Sequence, residues 1–293
     1  MWEDLKRSWN SGSMLHRLIY LNIAVFLTVS FITIFIEDVG LLWLESSPNL
    51  KVLAKRPWSI VTYMFVHGSL WHLIVNIFPL WWFGRIYQTE VGSRKLLSTY
   101  VMGGFAGIAT VILAVNYLSS FETYSDKGIV GASASVFALM TAIASLYPNR
   151  KVNFILFGSL QLQHIVLGII ILDYFARRNH DLSAMMGHLG GAFMGFTLVH
   201  LNKRGVNLSA PIEWLFDSFI SLIPTDGSSR FKVKRENKST RSKYVRPKSD
   251  DQYNSERKEN QNRVDVILDK ISRQGYDHLS REEKEFLFKQ SKK

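Results

Sequence analysis

The chain contains no cysteine, which excludes a disulfide framework, a thiolate nucleophile, an Fe–S cluster and a cysteine-based zinc site. Charge is scarce as well, but unevenly. Positions 1–202 hold 14 Lys/Arg and 10 Asp/Glu, a net +4, whereas positions 203–293 hold 21 and 14, a net +7. Averaged over 293 residues, the +11 and the 47% hydrophobic content describe an ordinary basic soluble protein. The distribution does not. Within the first two thirds, six runs carry no charged side chain at all: 18–36, 60–83, 96–118, 129–147, 152–172 and 182–201.

A helix needs roughly 20 apolar residues to cross the hydrocarbon core. Six such runs separated by short polar gaps exclude a soluble core and predict an all-α, polytopic helical membrane protein. The first run is too long for a signal peptide, lacks a small-residue cleavage site and leads into further spans. With the N-terminus inside, Arg17, Arg94, Lys95, Arg150 and Lys203 are among the basic residues on inner flanks, and fewer, including Lys55, Lys127 and Arg177, fall on outer ones. The bias predicts both termini in the cytoplasm and a multi-pass protein of the cell (inner) membrane.

The predicted organisation is a cytoplasmic N-terminus (1–17), a six-span membrane domain (18–202), an interfacial segment with a basic disordered linker (203–261), and a small cytoplasmic helical hairpin (262–293). The outer loop 37–59 carries Leu41, Leu42, Trp43, Leu44 and Trp58, which suits the outer interface. Residues 212–223 are apolar but too short to span, and the Lys/Arg-rich stretch 230–258 suits anionic lipid. Val264, Ile267, Leu268 and Ile271 recur at helical spacing, and Ser280 with Glu283 forms a capping-box pattern.

Polar side chains inside spans are costly and suggest function. Run two has His67, His72 and Asn76; run four Ser133 and Ser135; run five Gln161, Gln163 and His164; run six His188. His72 and Asn76, four apart, project from one helix face. The small-residue stretch Gly131-Ala132-Ser133-Ala134-Ser135 permits close backbone approach, either for helix packing or for access to a hydroxyl. Gly191 and Gly195 follow His188 at plus three and plus seven, so a neighbouring helix can press against the imidazole face. A serine attacking an acyl group needs a base, usually His, within hydrogen-bond reach. The developing oxyanion needs donors, which His72, Asn76 and the Ser133 backbone N–H can supply. Hydrolysis also needs water, and polar groups near the outer ends of runs two, four and six predict a wet cavity. Gln161, Gln163 and His164 are expected to hydrogen-bond locally, Trp81 and Trp82 to anchor at the interface, and Pro79 to kink its helix. Taking His67, His72 and His188 as metal ligands of a transporter fits poorly, because the spans lack Asp and Glu and a five-residue step splays the first two.

The run from Thr62 through His67, His72 and Asn76, the motif Gly131-Ala132-Ser133 and the motif Gly187-His188-Leu189-Gly190-Gly191 resemble the signatures of bacterial rhomboid intramembrane serine proteases, over roughly residues 14–202. The resemblance implies a six-helix rhomboid-like bundle with Ser133 as nucleophile and His188 as general base of a dyad lacking an acidic third member. It implies His72 and Asn76 as oxyanion donors, with supporting roles for His67, Phe137, Gly131 and Gly191, Phe137 packing on the base. It implies no metal or organic cofactor, no nucleic-acid partner, and transmembrane proteins as substrates, cut near the ends of their helices. Two positions depart from the family pattern: Ala134 replaces the usual Gly after the nucleophile, and Gln88 stands where a Glu is common. The alternative is a rhomboid-like pseudoprotease that binds transmembrane helices without cleaving. Such proteins typically lose the serine or the histidine, and both are present.

Overall fold

The structure is a computed structural model, and it describes residues 13–36, 43–154, 158–177 and 181–222, together with 264–273, 275, 278–280, 282–284 and 286–287 of the tail. The described residues belong to two units, one within Met1–Asp226 and one within Gly227–Lys293.

The first unit runs α1 (Met14–Phe35), α2 (Leu50–Lys55), α3 (Ser59–Thr62) continued by a 3-10 turn (Tyr63–Phe65), α4 (Leu70–Val91) and α5 (Ser93–Tyr117). A 3-10 segment (Ser119–Tyr124) then leads to α6 (Ser133–Leu146), β1 (Lys151–Phe154), β2 (Gly158–Gln161), α7 (Leu162–Arg177), α8 (Leu182–Lys203) and α9 (Ala210–Leu222). Among the described residues, α1, α5 and α8 are long and apolar enough to cross a membrane, and α3 with α4 forms a fourth such segment bent by 90° at a break. This is a helical membrane protein.

Three of the six charge-free runs are not continuous helices, and two of these three hold no helix of spanning length. Run 129–147 becomes helical only at Ser133, after Ile129 has bridged antiparallel to Ser46. The 14 residues of α6 reach about 21 Å at 1.5 Å per residue, short of a hydrocarbon core of roughly 30 Å. Run 152–172 spends its first part on an antiparallel hairpin, Lys151 opposite Gln161 and Phe154 opposite Gly158, leaving 16 residues for α7. Pro79 lies inside a continuous α4; the sharp bend of this segment is at the break between Phe65 and Leu70, where Ser69 caps α4 by accepting from the His72 N–H at 3.1 Å.

Small residues bring α5, α6 and α8 into backbone contact. A Cβ on Gly103 or Gly107 would collide with Ala138 and Ala134 of α6, and one on Gly191 or Gly195 would collide with the Ala134 and Ala138 carbonyl oxygens. Around this trio lies a core that includes Tyr63, Met64, Leu80, Phe83, Tyr100 and Leu139, all nearly inaccessible. Its tyrosine hydroxyls are satisfied: Tyr63 donates to the Gly104 carbonyl at 2.6 Å and Tyr100 to the Met64 carbonyl at 3.0 Å. By contrast Phe31, Trp71, Leu172 and Phe193 are exposed, as side chains facing lipid would be. Trp43 and Trp58 stack at 5.9 Å, and the Trp58 indole donates to the Trp43 carbonyl; Leu41 and Leu42 lie outside the described residues. The amphipathic α9 is tied to the start of α5 by Lys95–Glu213 at 2.8 Å and Arg94–Asp217 at 3.2 Å. Burial pushes the Glu213 carboxyl up, but Lys95 and the Ser209 hydroxyl outweigh it and hold it below its ordinary value.

In the second unit, residues 264–273 are helical and Gly275 follows with φ of 86°. The capping box is formed reciprocally: Ser280 N–H donates to Glu283 at 2.7 Å and Glu283 N–H to the Ser280 hydroxyl at 3.2 Å. Ile267 and Leu279 are buried. The basic stretch 230–258 lies outside the described residues.

Candidate active site

Three elements meet at one end of the first unit: the start of α6, the first half of α8 and the last turns of α7. Ser133 is the first residue of α6 and His188 lies in the first half of α8, on helices held together by Gly191 against Ala134. The Ser133 Oγ is 2.7 Å from His188 Nε2. The imidazole is nearly inaccessible and stacks on Phe137, with ring centroids 4.6 Å apart and planes 15° from parallel. Ser135, the second serine of the run, is buried in the helix packing. Of these two serines, Ser133 is the one that meets a histidine.

The approach to Ser133 is fixed by Gly131, whose φ of 121° suits glycine and whose N–H donates to the Tyr63 carbonyl at 2.9 Å. A Cβ there would stand 2.8 Å from His72 Nε2 and 3.7 Å from Ser133 Oγ. The missing side chain thus keeps open the space between the His72 ring and the hydroxyl. His72, Ser133, His188 and Arg177 line a cavity of about 410 Å³. Asn76, one turn along α4, is buried and already donates to the His72 carbonyl at 2.8 Å; it is not on the cavity wall. His67 is buried, 3.3 Å from the Phe65 carbonyl through Nδ1, with its ring 5.2 Å from that of His72. Helix α6 starts at the cavity without a side-chain N-cap, which leaves its first N–H groups and the positive end of its dipole beside Ser133 without a side-chain acceptor.

The methyl of Ala134 does not enter this cavity. It packs towards Gly107 of α5, and Ala134 is buried. Gln88 also has a defined use, accepting from the Leu15 N–H at 2.9 Å, while the ion pair of this region is Glu90 with Arg150. Gln161 and Gln163 bond to each other at 2.8 Å and His164 is exposed; none reaches the site. His67, His72 and His188 do not form a metal-ligating cluster among the described residues.

One contact lies outside the expectations. The implied dyad has no acidic partner, yet the Asp173 carboxylate lies 2.7 Å from His188 Nδ1, and its other oxygen accepts from Arg177 Nε at 2.8 Å. The physical reason is that α7 continues to Arg177, past the end of the charge-free run at Leu172. The Asp173–Arg177 spacing of four residues, a favourable helix pair, is the signal that could have extended the helix. The rim carries a second ion pair, Lys127 with Asp181 at 2.7 Å. Asp181 caps α8 by accepting from the Ala184 N–H at 3.0 Å. Burial pushes its carboxyl up, but Lys127, that N–H and the Ser183 hydroxyl hold it below its ordinary value. Charged side chains at the cavity thus favour water over lipid.

The fold and the site define a polytopic helical membrane protein with a serine and a histidine joined across two tightly packed helices. Comparison with known proteins specifies it: the Rhomboid domain family model matches residues 54–204, and the chain belongs to the rhomboid family. It is 27% identical over 159 residues to presenilin-associated rhomboid-like protein A, mitochondrial, of Danio rerio, covering 52% of this chain and 39% of that one. It is 26% identical over 152 residues to RHOMBOID-like protein 5 of Arabidopsis thaliana, covering 48% and 44%. It is 29% identical over 159 residues to rhomboid protease GluP of Bacillus subtilis (strain 168), covering 54% and 29%. The matches span less than half the length of these relatives. Residues 248–293 match a further family model, a family of unknown function (DUF6576).

Proposed function

We propose that this chain is an intramembrane serine endopeptidase that cuts transmembrane segments of membrane proteins. The observation that carries this reading is the 2.7 Å contact between Ser133 Oγ and His188 Nε2 on the wall of a cavity that also holds His72. A relative named as a protease, GluP, lends further support.

In the proposed reaction, Ser133 Oγ bonds to the scissile carbonyl carbon as its proton passes to His188 Nε2 and the carbonyl π electrons move onto oxygen. That oxyanion is met by the His72 side chain and the N–H groups opening α6, while Asn76 bonds the His72 carbonyl from behind the cavity wall. As the C–N bond breaks, Nε2–H gives its proton to the leaving amine. Water then attacks the acyl ester, its proton going to Nε2, and the carboxylic acid leaves as Ser133 regains its hydrogen. Phe137 holds the imidazole plane throughout.

The proposed setting is a cell membrane with both termini cytoplasmic, single-span proteins cut near a helix end as substrates, and anionic lipid against the basic tail. Reconstituted in liposomes with a model single-span protein, the wild type is expected to cleave. Ser133→Ala and His188→Ala are expected to lose on the order of 10⁴-fold or more in rate. Equal inertness of wild type and Ser133→Ala, at pH 6 to 9 and with several substrates, would instead mark a helix-binding pseudoprotease.

A further inference from the structure

His188 is held through both ring nitrogens. Nε2 faces the Ser133 hydroxyl, and Nδ1 faces Asp173 Oδ2, each at 2.7 Å. A carboxylate only accepts hydrogen bonds, so in the neutral ring Nδ1 carries the proton and Nε2 presents its lone pair to Ser133. That is the tautomer a general base needs. Asp173 is itself fixed, because its second oxygen accepts from Arg177 Nε at 2.8 Å within one helix. The side chain of His188 is 6% exposed and that of Asp173 16%, so water competes little for either contact.

We propose that Asp173 is a positioning residue for the base, clamped by Arg177, so that this rhomboid operates a Ser133–His188–Asp173 triad in place of a dyad. The inference rests on the assignment of Ser133 and His188 above. Asp173 takes no proton; it sets the tautomer and ring angle and opposes the charge of the imidazolium that forms when Ser133 gives up its proton. It also places one member of the triad on α7, a different helix from the other two.

Arg177 makes the proposal testable in an unusual direction. In Asp173→Asn the amide oxygen must face the guanidinium, which only donates, so the amide NH₂ faces His188 Nδ1. Nδ1 must then accept, and the ring proton moves to Nε2, where it blocks acceptance from Ser133. Asp173→Ala enforces neither tautomer. The near-isosteric Asn variant is therefore expected to be worse than Ala, with kcat down about 10³-fold or more against about 10² for Ala and KM within about threefold for both. Adding Arg177→Met to Asp173→Asn lets the amide turn over and restores kcat at least about tenfold over the single variant.

A merely structural role gives the reverse order, Asn milder than Ala, and kcat for Asn equal to or above that for Ala overturns the proposal. The second measurement needs no variant of Asp173. In ¹⁵N-histidine-labelled wild type, with His188 assigned by its loss in His188→Gln, the neutral ring is expected to be protonated at Nδ1, and protonation at Nε2 overturns the proposal. An inert wild type would end the protease assignment, while the ring spectrum would still decide the Asp173 contact.

Discussion

Helices α8 and α7 both reach His188, and they are built in opposite ways. In α8, Gly187, Gly190, Gly191 and Gly195 allow backbone contact with α5 and α6, and the helix buries ten residues. In α7 only Leu162 and Val166 are buried, while Leu167, Leu172 and Phe175 are exposed at 54%, 69% and 57%. Ser133 and His188 thus sit on elements whose spacing is set by glycine. The carboxylate arrives on a helix packed at its first turns and joined to the site by polar contacts near its last. Rigid placement of the reacting atoms matters most where proton transfer and attack occur over hydrogen-bond distances; a partner that sets a tautomer tolerates a looser mount.

This contrast can be broken in a graded way. The largest expected effect is chemical and lies on α8: His188→Gln removes the base and is expected to cost on the order of 10⁴-fold or more in kcat in the liposome assay, with the protein still folded. Next is the cavity wall. His72→Ala is expected to lower kcat by about 10²-fold, and Asn76→Ala by less, because Asn76 is off the cavity wall and has one amide hydrogen committed to the His72 carbonyl. Third is packing. Gly191→Leu drives a side chain into the Ala134 carbonyl, and overpacking of this kind is expected to cost about 3 kcal/mol in detergent unfolding. Leu167→Ala, on the exposed face of α7, is expected to stay within about 0.5 kcal/mol. Equal damage from the two would erase the distinction between the helices.

A smaller loss of stability than that of Gly191→Leu is expected at the cap of α8. Asp181→Ala removes an N-cap and the Lys127 pair, and is expected to cost about 1 kcal/mol. The Asp181 carboxyl lies below its ordinary value in the fold, so its contribution is complete above about pH 4, the unfolded value, and disappears as pH falls further. Unfolding curves of wild type and variant should therefore differ by a constant amount from pH 8 to 5 and converge in stronger acid.

Sequence patterning carried most of this architecture, and its failures have physical causes. Charge-free runs locate helices, but they do not see where the backbone breaks. Run 60–83 contains the 90° bend before Leu70, and run 152–172 contains a hairpin, because Val152 and Leu160 are as apolar in a strand as in a helix. Ser133, His188 and His72 were legible from motif and spacing, Phe137 only through the family resemblance, and the fold brings the four together; His67, Gly131 and Gly191 sit beside them. Asn76 was legible in spacing but not in its commitment to its own helix. Asp173 was not legible because a criterion that excludes charge ends a span at the first carboxylate. The residue that terminated run five is the one that contacts His188.

The most direct test of the central claim is labelling by a fluorophosphonate probe, which reports an activated serine without knowledge of the substrate. Wild type in detergent is expected to be labelled on Ser133 by peptide mapping, with labelling lost in Ser133→Ala and reduced at least about 10²-fold in rate in His188→Gln. A folded wild type left unlabelled, or labelled equally after loss of His188, would contradict the claim that these two residues form a working nucleophile and base.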